Sequence, residues 1–212
     1  MLKSEVVYPL SFDESFLESM AQRLRGFLFF CPVCGNYGVY KIASKNLRES
    51  CNCCNCGSNN RQRQMAKVVC QVAAQEMCKS LAELGREFTK VVYNTEASGP
   101  VHNALSVGDG YLCSEYFGAE YQSGHLVKGV MHQDLMSLSF DNHSIDLALS
   151  SDVFEHVPDP YMAHSEIFRV LRPRGSHVFT VPFMQTEYLD HELASLKNDG
   201  SVAFHVAPQY HS

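Results

Sequence analysis

The sequence predicts a three-layer α/β fold with a small cysteine-rich module ahead of it, and three observations carry that expectation. Strand and helix patterns alternate through the second half of the chain. Six of the nine cysteines fall between Cys31 and Cys56. The 212 residues suffice for one ordinary domain and a small appendage.

The clearest unit runs from His132 to Phe183. Ile145, Leu147 and Leu149, with Ala148 between them, form the apolar run of a parallel strand covered on both faces. The run ends at Ser150-Ser151-Asp152, small polar residues that can leave a sheet and line a cleft. Pro158 and Pro160 open a helix that places Tyr161, Ala163, His164, Ile167, Phe168, Val170 and Leu171 on roughly one face. Pro173 and Gly175 stop it, and His177 to Phe183 reads as the next strand. Asp134, Asp152, Glu155 and His156 fall at the carboxyl edge of these strands, where open α/β sheets bind ligands.

Upstream, Lys90 to Tyr93 reads as the first strand, Val101 to Leu105 as a helix, Gly110 to Glu115 as the second strand and Val127 to Val130 as the third. Near the end, Val202 to Val206 reads as a strand without a partner, which leaves the sheet lacking its final strand pair.

Cys31-Pro-Val-Cys34-Gly35 is a turn that can present two thiolates to one metal ion. Cys51-Asn-Cys-Cys-Asn-Cys56-Gly57 offers two overlapping second turns, Cys51 with Cys54 or Cys53 with Cys56. A glycine follows Cys56 as one follows Cys34, which favours Cys31, Cys34, Cys53 and Cys56 as a closed structural zinc site. Tyr37 to Ile42 supplies a short strand of this zinc ribbon.

Ser11 caps an expected helix through Arg25, with Glu14 as its reciprocal partner and Phe12, Phe16, Met20 and Leu24 on one face. A second, longer helix is expected from Arg61 to about Phe88, ended by Gly85, with Cys70 and Cys78 as packed thiols and Arg61, Arg63 and Lys67 at a solvated start. The divisions are therefore residues 1–60 for the first helix and ribbon, 61–88 for the linking helix and 89–212 for the α/β domain.

A formal charge of -6 argues against a protein whose main task is gripping a nucleic-acid backbone. No run approaches the roughly 20 apolar residues of a membrane helix, and the first residues lack the pattern of a signal peptide. Clustered cysteines suit a reducing compartment, so the cytoplasm is the expected location.

Five stretches occur in order: Asp134-Leu, Phe140-Asp-Asn-His-Ser-Ile-Asp146-Leu, Asp152-Val-Phe-Glu-His156-Val-Pro-Asp159-Pro, Glu166-Ile-Phe-Arg-Val-Leu-Arg-Pro-Arg-Gly175 and Val181-Pro. Over about a quarter of the chain these resemble class I S-adenosylmethionine-dependent methyltransferases, here with a zinc ribbon in front. The resemblance implies a Rossmann-like methyltransferase sheet and methyl transfer from S-adenosylmethionine to a small-molecule or otherwise unidentified acceptor.

By the same resemblance Glu115 takes the ribose hydroxyls, Asp134 reads the adenine amine with the Leu135 backbone beside it, and Ser150, Ser151 and Asp152 lie by the methionine part. His156 stands near the reacting methyl and is the first choice of base, followed by Glu155 and Asp152. The turn after the first strand departs from the family pattern, because Glu96-Ala-Ser-Gly99-Pro keeps only the acid and one glycine. Glu96 and Gly99 remain cofactor-binding candidates. Two other readings stand beside this one: a binding module that has lost the cofactor, and a zinc-ribbon nucleic-acid adaptor resting on Arg61, Arg63 and Lys67.

Overall fold

The computed structural model describes residues 28–42, 44–72, 78–87, 89–182, 194–197 and 202–205. The helix expected from Ser11 to Arg25 lies outside them. Two short antiparallel pairs come first, β1 (Phe29–Phe30) with β2 (Tyr37–Gly38) and β3 (Tyr40–Lys41) with β4 (Asn52–Cys53).

Two helices follow where one is expected. α1 spans Asn60–Val72 and buries Met65, Ala66, Val69 and Cys70, while α2 spans Leu81–Glu87. A fresh start at Ser80 explains the second helix, since its Oγ accepts the Glu83 N–H at 3.2 Å as a cap. Cys78 therefore precedes α2 rather than lying in a helix, although it is buried as expected. Gly85 does not end a helix either. It lies inside α2, where an added Cβ would meet the Ala104 carbonyl oxygen at 2.6 Å.

β5 (Val92–Asn94), α3 (Gly99–Leu105) and β6 (Tyr111–Cys113) come next. The expected third strand is instead a hairpin of β7 (Leu126–Val127) and β8 (Val130–Met131). Lys128 and Gly129, at φ 52 and 85, form the two-residue turn that right-twisted strands favour. A single parallel bridge, Glu115 to His132, continues this hairpin beside the end of β6.

β9 (Ile145–Ser151), α4 (Pro160–Val170) and β10 (Leu171–Thr180) complete the crossover. Asp159 caps α4 by accepting the Met162 N–H at 2.9 Å, and Pro160 fits the first turn. The buried face of α4 is narrower than the sequence suggests. Ala163, Ile167 and Val170 are inside, while Tyr161 and Phe168 remain exposed. β10 also begins earlier than His177. Leu171 already pairs with Ile145, and Pro173 and Gly175 fall in an irregularity that ends when Ser176 pairs with Leu147.

The four main strands are parallel and ordered β10-β9-β5-β6. Residue parity sorts the two faces from Leu147 onward, and Ile145 falls out of step because the Asp146 and Leu147 N–H groups both donate to the Val91 carbonyl. Leu147, Leu149, Val92 and Val178 join Met65, Val69, Leu81, Leu84, Val101 and Leu105 on one side. On the other, Tyr93, Ile145 and Ala148 pack against Ala163, Ile167 and Val170 of α4. The result is the three-layer arrangement, and the first of these clusters also takes in Cys31, Val33 and Cys53 of the ribbon. The last elements, β11 (Ala194–Leu196) and β12 (Val202–Phe204), form an antiparallel pair, so the expected lone strand does have a partner.

Candidate cofactor cleft and metal centre

Cys31, Cys34, Cys53 and Cys56 bring their four Sγ atoms within 4.8 Å of one another. The local reason is a repeated turn. The Gly35 and Gly57 N–H groups donate to the Cys31 and Cys53 carbonyls at 2.8 Å, and the Cys31 and Cys53 N–H groups donate to Asn36 and Ser58 at 2.9 Å. Both glycines have left-handed φ, 75 and 77, which a Cβ would oppose. Of the overlapping turns, Cys53 with Cys56 thus faces the first pair, while Cys54 is exposed.

Zinc at about 2.3 Å from each sulfur of a tetrahedron sets the sulfurs about 3.8 Å apart. The Cys31 and Cys56 Sγ atoms are 3.8 Å apart. Their shared hydrogen bond lowers the Cys31 thiol to about 4 against the opposing effect of burial, and the same bond raises Cys56. This donor set suits a soft, four-coordinate ion.

The chain leaves β5 to add β6 on one side and returns through β9 and β10 on the other. The gap between the carboxyl ends of β5 and β9 is therefore the switch point of the sheet, where such folds open a crevice. Glu96 follows β5 there. Burial pushes its carboxyl up to about 7, Arg61 opposes this, and the charges of Glu115 and Asp152 assist it. Glu115 reaches across from β6 and accepts the Ala97 N–H at 2.9 Å. Gly99 opens α3 at φ 85, and a Cβ there would meet no atom within 4 Å.

Asp134 accepts the Met136 N–H at 2.8 Å and its own N–H donates to Ser123 Oγ at 2.9 Å, while the Leu135 side chain is buried on the α4 side. The two serines ending β9 part ways, as strand alternation requires. Ser150 Oγ lies 2.9 Å from His177 Nε2 on the α4 side, whereas Ser151 Oγ accepts from Arg61 on the ribbon side. His177 sits among Phe154, His164 and Phe179, and burial with the nearby His164 charge lowers its pKa to about 4.

Asp152 occupies a left-handed backbone position, φ 53, and is gripped by two arginines from the other end of the sequence. Arg48 donates to both its oxygens, at 2.5 and 2.7 Å, Arg61 lies at 3.3 Å, and Thr180 Oγ1 donates at 2.8 Å. Burial would raise this carboxyl, but the Arg48 and Thr180 hydrogen bonds and the Arg61 charge outweigh it and hold it below the usual carboxylate range. A carboxylate held so is a weak base. Glu155 and His156 stand on the next turn, with His156 Nε2 3.8 Å from Glu155 Oε1 and its side chain 55% exposed.

Sequence reasoning missed the arginines. Arg61 and Arg63 are not at a solvated helix start. Arg61 forks onto Glu49 at 2.8 and 3.1 Å, and Arg63 is 5% exposed, with its guanidinium 3.9 Å above the Tyr40 ring. Of the three cations, Lys67 alone is exposed, and the basic surface of a nucleic-acid adaptor goes with the other two. Asn94 and Thr95 were also missed. Asn94 Oδ1 and Thr95 Oγ1 are buried at the end of β5 and find no hydrogen-bond partner among the described residues. Orphaned acceptors at the switch point are what a bound polar cofactor would satisfy.

Residues 113–179 match a family described as "Methyltransferase domain". Over this stretch the chain is similar to methyltransferases. Among curated relatives, an uncharacterized methyltransferase of Mycobacterium avium (strain 104) is 32% identical over 105 residues, covering 45% of this chain and 41% of its own length. One from Mycobacterium sp. (strain JLS) is 42% identical over 57 residues, covering 27% of this chain and 23% of its own. The methyltransferase match thus spans less than half of either relative. Solved structures with similarity include S-adenosylmethionine-dependent methyltransferases of Mesorhizobium loti (17% identity, TM-score 0.34, covering 56% of this chain and 58% of that one) and Methanococcus maripaludis (12%, 0.34, 57% and 62%).

Proposed function

We propose that the protein transfers the methyl group of S-adenosylmethionine to a small acceptor molecule, in the cleft outside β5 and β9. The observation that carries this reading is the meeting of Glu96, Glu115, Asp152 and Arg61 at the switch point, where Glu115 and Asp152 fall within the stretch similar to methyltransferases. In it, Glu115 takes the ribose hydroxyls, Asp134 and the Leu135 backbone the adenine edge, and Ser151 the methionine end. Gly99 leaves room for close approach of the backbone. Ser150, turned toward His177, supports the cleft wall from behind. Asn94 and Thr95 offer the acceptors that lack partners.

When bound, the cofactor supplies a methyl group already activated by its sulfonium, so the protein's own part is orientation, exclusion of water and proton handling. His156, half-exposed beside Glu155, is placed to accept a proton from a protonated acceptor. Asp152, already paired, serves position rather than proton transfer. The four-cysteine site holds zinc structurally, which agrees with thiols kept reduced in the cytoplasm. Among the described residues no helix is long and apolar enough to cross a membrane.

Calorimetric titration with S-adenosylhomocysteine tests the reading. Saturable binding in the micromolar range is expected, and absence of heat at millimolar ligand overturns it.

A further inference from the structure

The cleft holds charges of both signs in two separate groups. Toward β6 lie the acids Glu115 and Asp134, suited to hydroxyl and amine donors. Between β5 and β9 the signs are mixed: Arg61 and Arg48 face Asp152 and Glu49, and Glu96 lies buried close enough to feel Arg61, Glu115 and Asp152. A mixed-sign cluster complements a zwitterion, the form of a free α-amino acid, better than it complements a phosphate or a simple cation.

Arg61 holds the central place in that group. Its side chain is 13% exposed, it donates to Ser151 Oγ at the end of β9, and it is the cation that opposes the raised pKa of Glu96 beyond β5. Its contacts with Ser151 and Asp152 place it at the carboxyl end of β9, on the side of the switch point where Glu96 feels its charge. The fork it already makes to Glu49, at 2.8 and 3.1 Å, shows a guanidinium oriented for carboxylate recognition. Those bonds and the one to Ser151 engage three of the five guanidinium N–H groups, leaving donors for a second carboxylate.

Resting on the methyl-transfer reading above, we propose that Arg61 receives the α-carboxylate of the cofactor's methionine portion, so that the metal-bearing module supplies part of the cofactor site. The nucleoside then points toward Glu115 and Asp134, and the ammonium toward Glu96 and Asp152. The glycine-poor turn finds a physical counterpart here. Contacts that successive glycine N–H groups would make are replaced by a side chain arriving from the ribbon side.

The test compares two ligands by calorimetry on the zinc-loaded protein: S-adenosylhomocysteine and S-adenosyl-3-thiopropylamine, which lacks only the carboxylate. A charge-assisted hydrogen-bonded pair is worth about ten- to a hundredfold in affinity. The expected result is that the unaltered protein prefers S-adenosylhomocysteine by at least about tenfold, and that Arg61→Gln loses this preference while binding the decarboxylated ligand as before. Equal affinities in the unaltered protein overturn the proposal without any variant. A preference that survives Arg61→Gln overturns it too, and so does loss of both ligands in that variant, since Arg61 would then be holding the cleft together. If the unaltered protein binds neither ligand, the methyl-transfer reading itself fails, and this inference with it.

Discussion

Asp152 and Glu96 are two carboxyls of one cleft held in opposite states. The first is kept ionised by Arg48 and Arg61, and the second is pushed toward its neutral form by burial. Removing the Asp152 charge leaves two partly buried guanidinium groups sharing the single carboxylate of Glu49. Asp152→Asn should therefore lower stability by about 1–3 kcal/mol, less than a fully buried pair would cost because Arg48 keeps a quarter of its side chain in solvent. Urea unfolding measures it, and a loss under a few tenths of a kcal/mol would mean that the pair is only a surface contact. Glu96 acts through pH. The folded protein keeps a proton there up to about 7, whereas the unfolded chain releases it near 4.5, so stability should fall as pH rises between those values. Glu96→Gln should remove that slope and gain on the order of 2 kcal/mol at pH 8. Parallel stability curves for the two proteins from pH 4.5 to 8 would show that the carboxyl is solvated. The cysteine knuckles and the carboxylates of this site were legible in the sequence because their signals are local. The clamp on Asp152 was not, because Arg48 and Asp152 are 104 positions apart and no pattern of spacing links them.

At the scale of elements, the sequence marks where apolar periodicity begins more surely than where it stops. β9 and α4 were legible because a short apolar run, prolines near the first turn and a one-sided helical pattern agree over a few residues. The third strand was not, since Val127 and Val130 have the composition of a strand, and only the left-handed Lys128-Gly129 turn makes them face each other. Gly85 misleads in the same way. Glycine reads as a helix stop, yet here its missing Cβ allows α2 to lie against the backbone of α3. Gly85→Ala decides between two effects. Helix propensity alone would stabilise by about 1 kcal/mol, and a Cβ driven to 2.6 Å from the Ala104 carbonyl should cost about 1–3 kcal/mol or more. A lowered thermal midpoint is expected. A raised one would show that the two helices separate freely.

The described residues of the ribbon, helices and sheet pack as one unit, and that sets what a metal held by the four cysteines would do. Cys31, Val33 and Cys53 of the ribbon share a continuous core with Met65 and Val69 of α1, Leu81 and Leu84 of α2, and Leu147 and Leu149 at the centre of the sheet. Arg48 and Arg61 add a polar seam between the ribbon side and the end of β9. Loss of the metal proposed for this site should therefore remove more than a local staple. Four thiols left close together without an ion repel once ionised, the knuckles open, and the apolar layer behind them loses its cover. Chelation should then lower the melting temperature of the sheet itself, followed by far-ultraviolet circular dichroism, in one transition shared with the ribbon. Replacing Cys34 and Cys56 together should reproduce the effect in the absence of chelator. Two separate transitions, with the upper one unmoved by chelation, would show instead that ribbon and sheet fold independently and that the seam through Asp152 carries no cooperativity between them.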